Sequence, residues 1–136
     1  MERWDVIYKT LAAAGGAITG YFFGGWPVLL GVLVAFVAID YITGIFAAAT
    51  EGQLSSNVGF KGIVKKLAIF FLVAVAHLTD VAIGQGNVIR DAAIFFYLAN
   101  ELISILENCG RLGLPVPGPL QQAVAVLKRK GERPNE

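Results

Sequence analysis

The stretch TLAAAGGAITGYFFGGWPVLLGVLVAFVAI, from Thr10 to Ile39, carries no formal charge over 30 residues. The whole chain of 136 residues is 56% hydrophobic and 15% charged, whereas an average soluble domain carries about 25% charged residues. A soluble domain of this size has too little interior to hide such a stretch while the rest of the chain is also apolar. The sequence therefore predicts an all-α, polytopic integral membrane protein and argues against a soluble enzyme.

The apolar residues divide a single domain, residues 1–136, into four hydrophobic segments at about 6–23, 27–50, 67–84 and 88–106. The first two segments are separated by Gly24-Gly25-Trp26-Pro27, a turn signal in which proline suits the first position of the next helix. A helix of 30 residues extends about 45 Å, against a hydrocarbon core of about 30 Å. A break is therefore favoured, with one strongly tilted helix as the alternative. Three to four transmembrane helices are expected, and residues 51–66 are expected to form a polar loop.

A short amphipathic helix is predicted over residues 120–130, within a basic tail spanning 109–136. Leu120, Val124 and Leu127 fall on one face of this helix. Three basic residues adjoin that face: Lys128, Arg129 and Lys130. This pattern is typical of a helix lying on an anionic membrane surface, and a disordered basic tail is the alternative.

Basic residues are distributed unevenly between the two ends of the predicted spans. With four spans, ten of them share one side: Arg3, Lys9, Lys61, Lys65, Lys66, Arg111, Lys128, Arg129, Lys130 and Arg133. Arg90 alone falls on the other side. Because cytoplasmic loops carry the excess of Lys and Arg, both termini are predicted to be cytoplasmic. If the first two segments were one helix, the N-terminus would be outside and the C-terminus would remain cytoplasmic.

Polar side chains fall within three consecutive hydrophobic segments: Asp40 and Thr43, then His77 and Asp80, then Asn100, Glu101 and Ser104. A carboxylate near the bilayer centre costs about 2.5–3.5 kcal/mol on insertion scales, so these groups are expected to face other helices or water. His77 and Asp80, at i and i+3, are expected to form a hydrogen-bonded pair. The seven residues are interpreted as lining a pore in an oligomer. Internal polar pairing that fixes helix packing is the alternative.

Small residues repeat every four positions along the first segment: Ala12, Gly16, Gly20 and Gly24. Such a face lets two helix backbones approach closely, which favours association in lipid. We interpret it as a helix–helix association face of a homo-oligomer. The alternative is packing against a neighbouring helix of the same chain.

Catalytic and metal-binding sequence patterns are missing. The chain has one histidine and one cysteine, Cys109, and it contains neither a GxSxG motif nor a Walker glycine loop. We therefore expect no enzymatic activity, no cofactor and no bound metal. The net charge of +1 gives no indication of nucleic-acid binding.

Several short motifs follow one another along the chain. DYITG at 40–44 precedes SS at 55–56, with Gly59, Gly62 and the KK pair at 65–66, and NELISILEN at 100–108 comes next. GLPVP at 113–117 and a basic end complete the series. In this order and spacing, from about residue 25 to residue 130, the motifs resemble the phage holin family of the toxin-secretion/phage-lysis type.

The resemblance implies a small phage-encoded protein of the bacterial host's inner membrane that forms homo-oligomers. It implies a pore or lesion that releases an endolysin, or another large protein, for lysis of the host; direct contact with the endolysin is not implied. Two other functions remain open from the residues alone. One is a small proton-coupled membrane transporter with Glu101 or Asp40 as its proton site, and the other is a non-conducting membrane scaffold.

Overall fold

The computed structural model describes residues 2–132, which form helices and short turns with no strand among them. The helices are α1 (Glu2–Phe23), α2 (Val28–Thr50), α3 (Ser56–Ile83), α4 (Val88–Arg111) and α5 (Gly118–Glu132). The predicted all-α class is confirmed for these residues. Arg133 and the rest of the predicted basic tail, up to residue 136, lie outside the described residues.

Glycines in the left-handed region end the helices at the predicted turns. Gly24 and Gly25 have φ values of 75° and 110°, and Gly84 has a φ of 72°. Glycine adopts these angles without the steric cost of a Cβ atom. The predicted break between the first two segments is therefore confirmed, with α1 ending at Phe23 and α2 beginning at Val28.

Helix α3 begins much earlier than the sequence pattern suggested. The prediction that residues 51–66 form a loop was wrong, because α3 begins at Ser56. Ser55 lies extended before it, and its hydroxyl oxygen accepts a hydrogen bond of 3.2 Å from the N–H of Val58. A serine at this position satisfies an N–H group that the first turn of a helix leaves unpaired. Lys66 therefore lies on a helix, not in a loop.

Helix α4 is the element around which the bundle packs, because it contacts α2, α3 and α5. Apolar side chains from α2, α3 and α4 form the buried core: Leu30, Leu33, Val37, Val73, Ile94 and Leu98. Helices α2 and α3 contact each other much less than either contacts α4.

Two helices of the described chain, α2 and α3, are long and apolar enough to cross a membrane. Both keep large apolar side chains on their outer surface, including Phe46 and Phe71, which are 57% and 72% exposed. Helices α1 and α4 occupy the first and fourth predicted segments but do not pass the same test of length and composition. Two of the predicted spans are therefore supported, and the larger number stays a prediction.

Helix α1 lies against α3, and its C-terminal end is also bonded to Arg90 of α4. None of its side chains is buried within the described chain. Thr19 and Phe23, near its C-terminal end, are the residues of α1 that are partly covered. Most of the apolar surface of α1 is consequently open.

The predicted C-terminal helix is present as α5, so the alternative of a disordered tail is wrong for residues 118–132. It packs on α4: a Cβ atom at Gly131 would lie 2.9 Å from the backbone N of Phe96, and the Lys130 ammonium lies 5.5 Å from the Phe95 ring centre. The helix therefore runs back along the N-terminal half of α4. The predicted surface residues are exposed there: Lys128, Arg129 and Lys130. The sequence predicts that they share a side of the membrane with Arg111, and that sidedness stays a prediction.

Candidate functional site

Two carboxylates and one lysine meet between α2, α3 and α4. Asp40 of α2 and Glu101 of α4 are both buried, at 4% exposure. The ammonium of Lys66 on α3 donates to Asp40 Oδ2 and to both oxygens of Glu101, at 3.0 Å from Oε1 and 2.7 Å from Oε2. We call Asp40, Lys66 and Glu101 the charge cluster.

The charge cluster ties three helices together through one side chain. Removing carboxylates from water costs several kcal/mol per ion, and ion pairing offsets this cost only where the geometry is good and hydrogen bonds are satisfied. Lys66 supplies one positive charge against the negative charges of Asp40 and Glu101. The three groups therefore stabilise the bundle only while the three helices stay packed.

Asn108, about two turns after Glu101 on α4, extends the cluster. Its amide nitrogen lies 2.9 Å from Asp40 Oδ1, 3.1 Å from the Asp40 carbonyl oxygen and 3.0 Å from the hydroxyl of Thr43. Gly44 on α2 lies beside this amide, since a Cβ atom there would be in ordinary contact with Asn108 Nδ2, at 3.5 Å. Ser104 lines a cavity beside these groups together with Asp40 and Lys66.

An exposed ion pair closes the same end of the bundle. Arg111 donates to both carboxylate oxygens of Glu51, from Nε at 2.9 Å and from one terminal nitrogen at 2.8 Å. The hydrogen bond from Arg111 lowers the pKa of Glu51 below its ordinary value of 4.5. The pair joins the end of α2 to the end of α4.

A second polar group, built around Asp80, lies at the opposite end of the bundle. The two carboxylate oxygens of Asp80 accept hydrogen bonds from the backbone N–H of Ile89 at 2.9 Å and of Arg90 at 2.8 Å. Asp80 thus caps the first turn of α4, where N–H groups have no partner within the helix. The predicted pair of His77 with Asp80 is not formed. Within residues 2–132, the buried Nδ1 atom of His77 has no hydrogen-bond partner.

Arg90 fastens the end of α1 to this second group. Its buried guanidinium donates to the carbonyl oxygen of Phe23 at 2.9 Å and to Asp91 at 3.0 Å. Gly24 packs beside it, because a Cβ atom at Gly24 would lie 2.7 Å from His77 Cε1 and 2.9 Å from an Arg90 nitrogen. Gly24 is therefore a turn residue packed within its own chain, and its assignment to the association face was wrong.

The remaining members of that predicted face lie on the open surface of α1. Ala12 is exposed, and no atom of the described chain lies within 4 Å of a Cβ atom built at Gly16 or at Gly20. Packing of these two glycines against another helix of the same chain, the alternative interpretation, does not occur here. Asn100, predicted to line a pore, is exposed and does not join the charge cluster.

Sequence reasoning identified the carboxylates but missed their partners. Lys66 was assigned to a loop, although Ser55 offered an N-cap and a loop of 16 residues is unusually long for a compact domain. Asn108 was recognised as the last residue of the NELISILEN motif, and no partner was assigned to it. Arg90 was counted only as a loop charge, and its burial depends on contacts with α1 that no local pattern reveals.

The sequence of this chain matches known proteins over most of its length. A sequence model of the bacteriophage holin family matches residues 17–129. An uncharacterized protein of Listeria monocytogenes is 50% identical over 97% of this chain and 94% of its own length. The uncharacterized 14.9 kDa protein in the nagH 3′ region of Clostridium perfringens is 39% identical over 85% of this chain and 88% of its own. An uncharacterized protein of Bacillus subtilis is 34% identical over 98% of both chains. No solved structure matches this chain.

Proposed function

The chain belongs to the bacteriophage holin family, and we propose that it acts as a holin. Family membership and the apolar helices α2 and α3 identify it as a membrane protein. In the proposed function it forms homo-oligomers in the inner membrane of a bacterial host, with its C-terminus cytoplasmic. The oligomer opens a pore or lesion through which an endolysin, or another large protein, leaves the cytoplasm.

The observation that carries this proposal is the charge cluster inside an apolar bundle. A membrane anchor has no need of buried carboxylates, which are costly in a bilayer and commonly mark functional sites there. In a single chain, Lys66 lies between Asp40 and Glu101 and keeps both from lipid. We take this packed arrangement to be the closed state.

In the open state, we propose, the polar faces of α2 and α4 turn towards water. Asp40, Thr43, Glu101 and Ser104 would then line the lesion, and hydration of the two carboxylates would replace their bonds to Lys66. Four helices have little interior of their own, so this rearrangement requires several copies. The open face at Ala12, Gly16 and Gly20 supports such association, because small residues allow close helix packing in lipid.

The proposed activity is non-enzymatic. The surroundings of the oligomer are the bilayer and its anionic lipids, which we expect to be contacted by Lys128, Arg129 and Lys130. The endolysin is a functional partner that passes through the lesion, and the proposal requires no direct contact with it.

The test is inducible expression of the full chain in a bacterial host that also produces an endolysin without an export signal and a cytosolic reporter enzyme. A holin is expected to release the reporter when the endolysin is present, and to stop growth without lysis when it is absent. Release of potassium with retention of the reporter would instead indicate a small-solute transporter. Retention of both would indicate a scaffold, and either result would contradict the proposal.

A further inference from the structure

We propose that the polar cavity beside the charge cluster is a water-filled vestibule, open at the end of the bundle that carries Glu51 and Arg111 and closed at its inner end by the apolar core. The vestibule takes up water and hydrophilic solutes small enough to enter with it. It does not rest on the proposed holin function, because a transporter or a scaffold with the same fold would contain it too.

The cavity is large, and polar groups from three helices and a turn line it. Its volume of about 400 Å³ far exceeds the space that one water molecule needs, about 10–15 Å³. Water is expected where a cavity is roomy and offers several hydrogen-bond partners, whereas apolar cavities stay dry. The polar lining residues include Asp40, Gln53, Lys66, Ser104, Asn108 and Arg111.

Helix α2 sets the depth of the charge cluster in the bilayer. It has 23 residues and extends about 35 Å, slightly more than a hydrocarbon core of about 30 Å. Asp40 lies near its midpoint, and the side chains of Ile42 and Phe46, which follow it, are 49% and 57% exposed. The charge cluster therefore lies deep in the membrane, and water can reach it only along the second half of α2.

Two lysines of α3 need water at those same depths. The turn at residues 51–55 folds the first part of α3 back along the second half of α2. Lys61 and Lys65 are exposed there and form no ion pair within the described chain. They lie three positions after Val58 and Gly62, which line the cavity, and residues three apart are neighbours on a helix. Because a lysine deep in lipid costs about 2.5–3.5 kcal/mol, water on this face of α3 is favoured.

The apolar core closes the inner end of the vestibule. On α4, eleven positions separate Arg90 from Glu101, about 16 Å along the helix, and the buried side chains between them are apolar. Val37 and Leu98 lie one turn beyond Asp40 and Glu101, and both belong to the core. Close-packed interiors leave few voids as large as a water molecule, and apolar constrictions close channels by excluding water. Water that reaches the charge cluster therefore stops there.

The charges in the cavity disfavour a lipid tail or an apolar helix as its occupant. The side chain of Lys66 is 22% exposed, and covering a charged group without a new partner is costly. A lipid tail offers no partner. Helix α1 of a second copy carries no charge from Thr10 to Phe23, so its apolar part offers no charged partner either. Water satisfies the lysine and the carboxylates at the same time.

Cysteine accessibility tests the vestibule. Single cysteines are introduced into the full chain, on a Cys109→Ser background, and the chain is reconstituted in bilayers with a charged, membrane-impermeant methanethiosulfonate. The thiolate is the reactive form of cysteine, so a thiol must meet water to react. Gln53→Cys and Ser104→Cys are expected to react at least about tenfold faster than Phe46→Cys, which lies on the open surface of α2 outside the cavity. Leu98→Cys, in the apolar core, is expected to stay unmodified.

Three results of this experiment would overturn the proposal. If Ser104→Cys reacted only as slowly as Phe46→Cys while Gln53→Cys stayed reactive, a lipid or a helix of a second copy would fill the cavity. If Leu98→Cys reacted as fast as Ser104→Cys, the apolar core would not close the vestibule. In sealed vesicles, Ser104→Cys is expected to react only from the side at which Gln53→Cys reacts, and equal reaction from both sides would contradict a closed inner end.

A matched pair of tryptophan variants tests the route of entry. Val58 and Val64 are both exposed on α3, at 56% and 50%, but of the two Val58 lines the cavity. Val58→Trp narrows the cavity and is expected to slow the modification of Ser104→Cys, whereas Val64→Trp is expected to leave its rate unchanged. Equal rates in the two variants would show that the reagent enters elsewhere, and the proposed opening would be wrong.

Water contact is measured on the unmodified chain as well, so that a variant that fails to fold cannot decide the outcome. In solid-state NMR of the chain in hydrated bilayers, magnetisation from water is expected to reach Ser104 about as fast as Gln53 and faster than Phe46. Transfer to Ser104 as slow as transfer to Phe46 would overturn the proposal.

Discussion

The ammonium of Lys66 lies 2.7 Å from Glu101 Oε2, although the two residues are 35 positions apart in the chain. Because Lys66 also bonds to Asp40, one side chain of α3 holds α2 and α4 at fixed positions. Breaking a buried pair by removing one partner is costly, since the other charge stays buried without compensation. The following predictions depend on this cluster and on the turns that surround it.

Replacement of Lys66 by Met is expected to lower the free energy of unfolding by about 3 kcal/mol, the lower end for a broken buried pair, because 22% of the Lys66 side chain is exposed. Thermal unfolding in detergent, followed by circular dichroism, measures the effect. Lys65→Met is the matched control, since Lys65 is exposed and forms no ion pair within the described chain. Equal stability of the two variants would contradict the structural role of the cluster.

Replacement of Asn108 by Leu removes the donor to Asp40 and Thr43. The expected loss of unfolding free energy is about 1.5–3 kcal/mol, the range for a hydrogen bond to a charged group. The same change at the exposed Asn100 is expected to have little effect. A comparison of chemical unfolding for Asn108→Leu and Asn100→Leu measures the difference, and a larger effect at Asn100 would refute the assignment.

Gly20 and Gly24 belong to the same four-residue repeat of small residues, but their substitution is expected to have different effects. Gly24→Ala forces a Cβ atom to within 2.7 Å of His77 at a φ of 75°, so the folded monomer is expected to lose stability. Gly20→Ile is expected to leave monomer stability unchanged, because the site is open, and to weaken self-association. Crosslinking in membranes and thermal unfolding together distinguish the two effects. Unchanged crosslinking of Gly20→Ile would remove α1 from the association interface.

Asp80 is expected to act as a cap and not as a partner of His77. Asp80→Ala leaves the N–H groups of Ile89 and Arg90 without acceptors and is expected to cost about 1–2 kcal/mol. Asp80→Asn keeps one acceptor oxygen and is expected to cost less. Hydrogen exchange at residues 88–91 reports the capping directly. If Asp80→Ala left that exchange unchanged, the capping role would be wrong.

The pair of Glu51 and Arg111 is expected to give a small, salt-dependent contribution to stability that is lost at low pH. The pKa of Glu51 is lowered in the folded chain, so its contribution is present above the ordinary value of 4.5 and is lost as the pH falls through the lowered value. Hydrogen exchange in residues 51–55 is expected to rise in that range, and less so in high salt, where screening has already weakened the exposed pair. The Glu51→Gln variant is expected to lose this dependence on pH. Its persistence in that variant would assign the effect to another group.

The helices were largely predictable from the sequence, because apolar runs and glycine turns are local signals. The break at Gly24 and the C-terminal helix followed from such signals, and so did the expectation that Asp40 and Glu101 avoid lipid. The early start of α3 was missed because apolar periodicity weakens near Gly59 and Gly62. Those glycines are helical and allow Tyr41 to approach, since a Cβ atom at Gly59 would lie 3.3 Å from the Tyr41 hydroxyl.

Contacts between distant residues were beyond prediction from one sequence. The i, i+3 spacing of His77 and Asp80 indicated a pair, but Asp80 bonds instead to two N–H groups that lie across a turn. The surface on which α5 packs could not be predicted either, because an amphipathic face suits either lipid or protein. The close approach of Gly131 to Phe96 shows that α5 packs on α4. The pore-lining role of the polar residues stays a prediction.

The most direct test of the central claim is the time at which a cytosolic reporter is released after induction, at matched membrane levels of each variant. Lys66→Met leaves the carboxylates of Asp40 and Glu101 without their ion-pair partner. Because their hydration then becomes more favourable, release is expected to occur earlier. The triple variant Asp40→Asn, Lys66→Met, Glu101→Gln has no charge to hydrate and is expected to delay or abolish release. If both variants released the reporter on the schedule of the parent chain and of Lys65→Met, the charge cluster would not control opening.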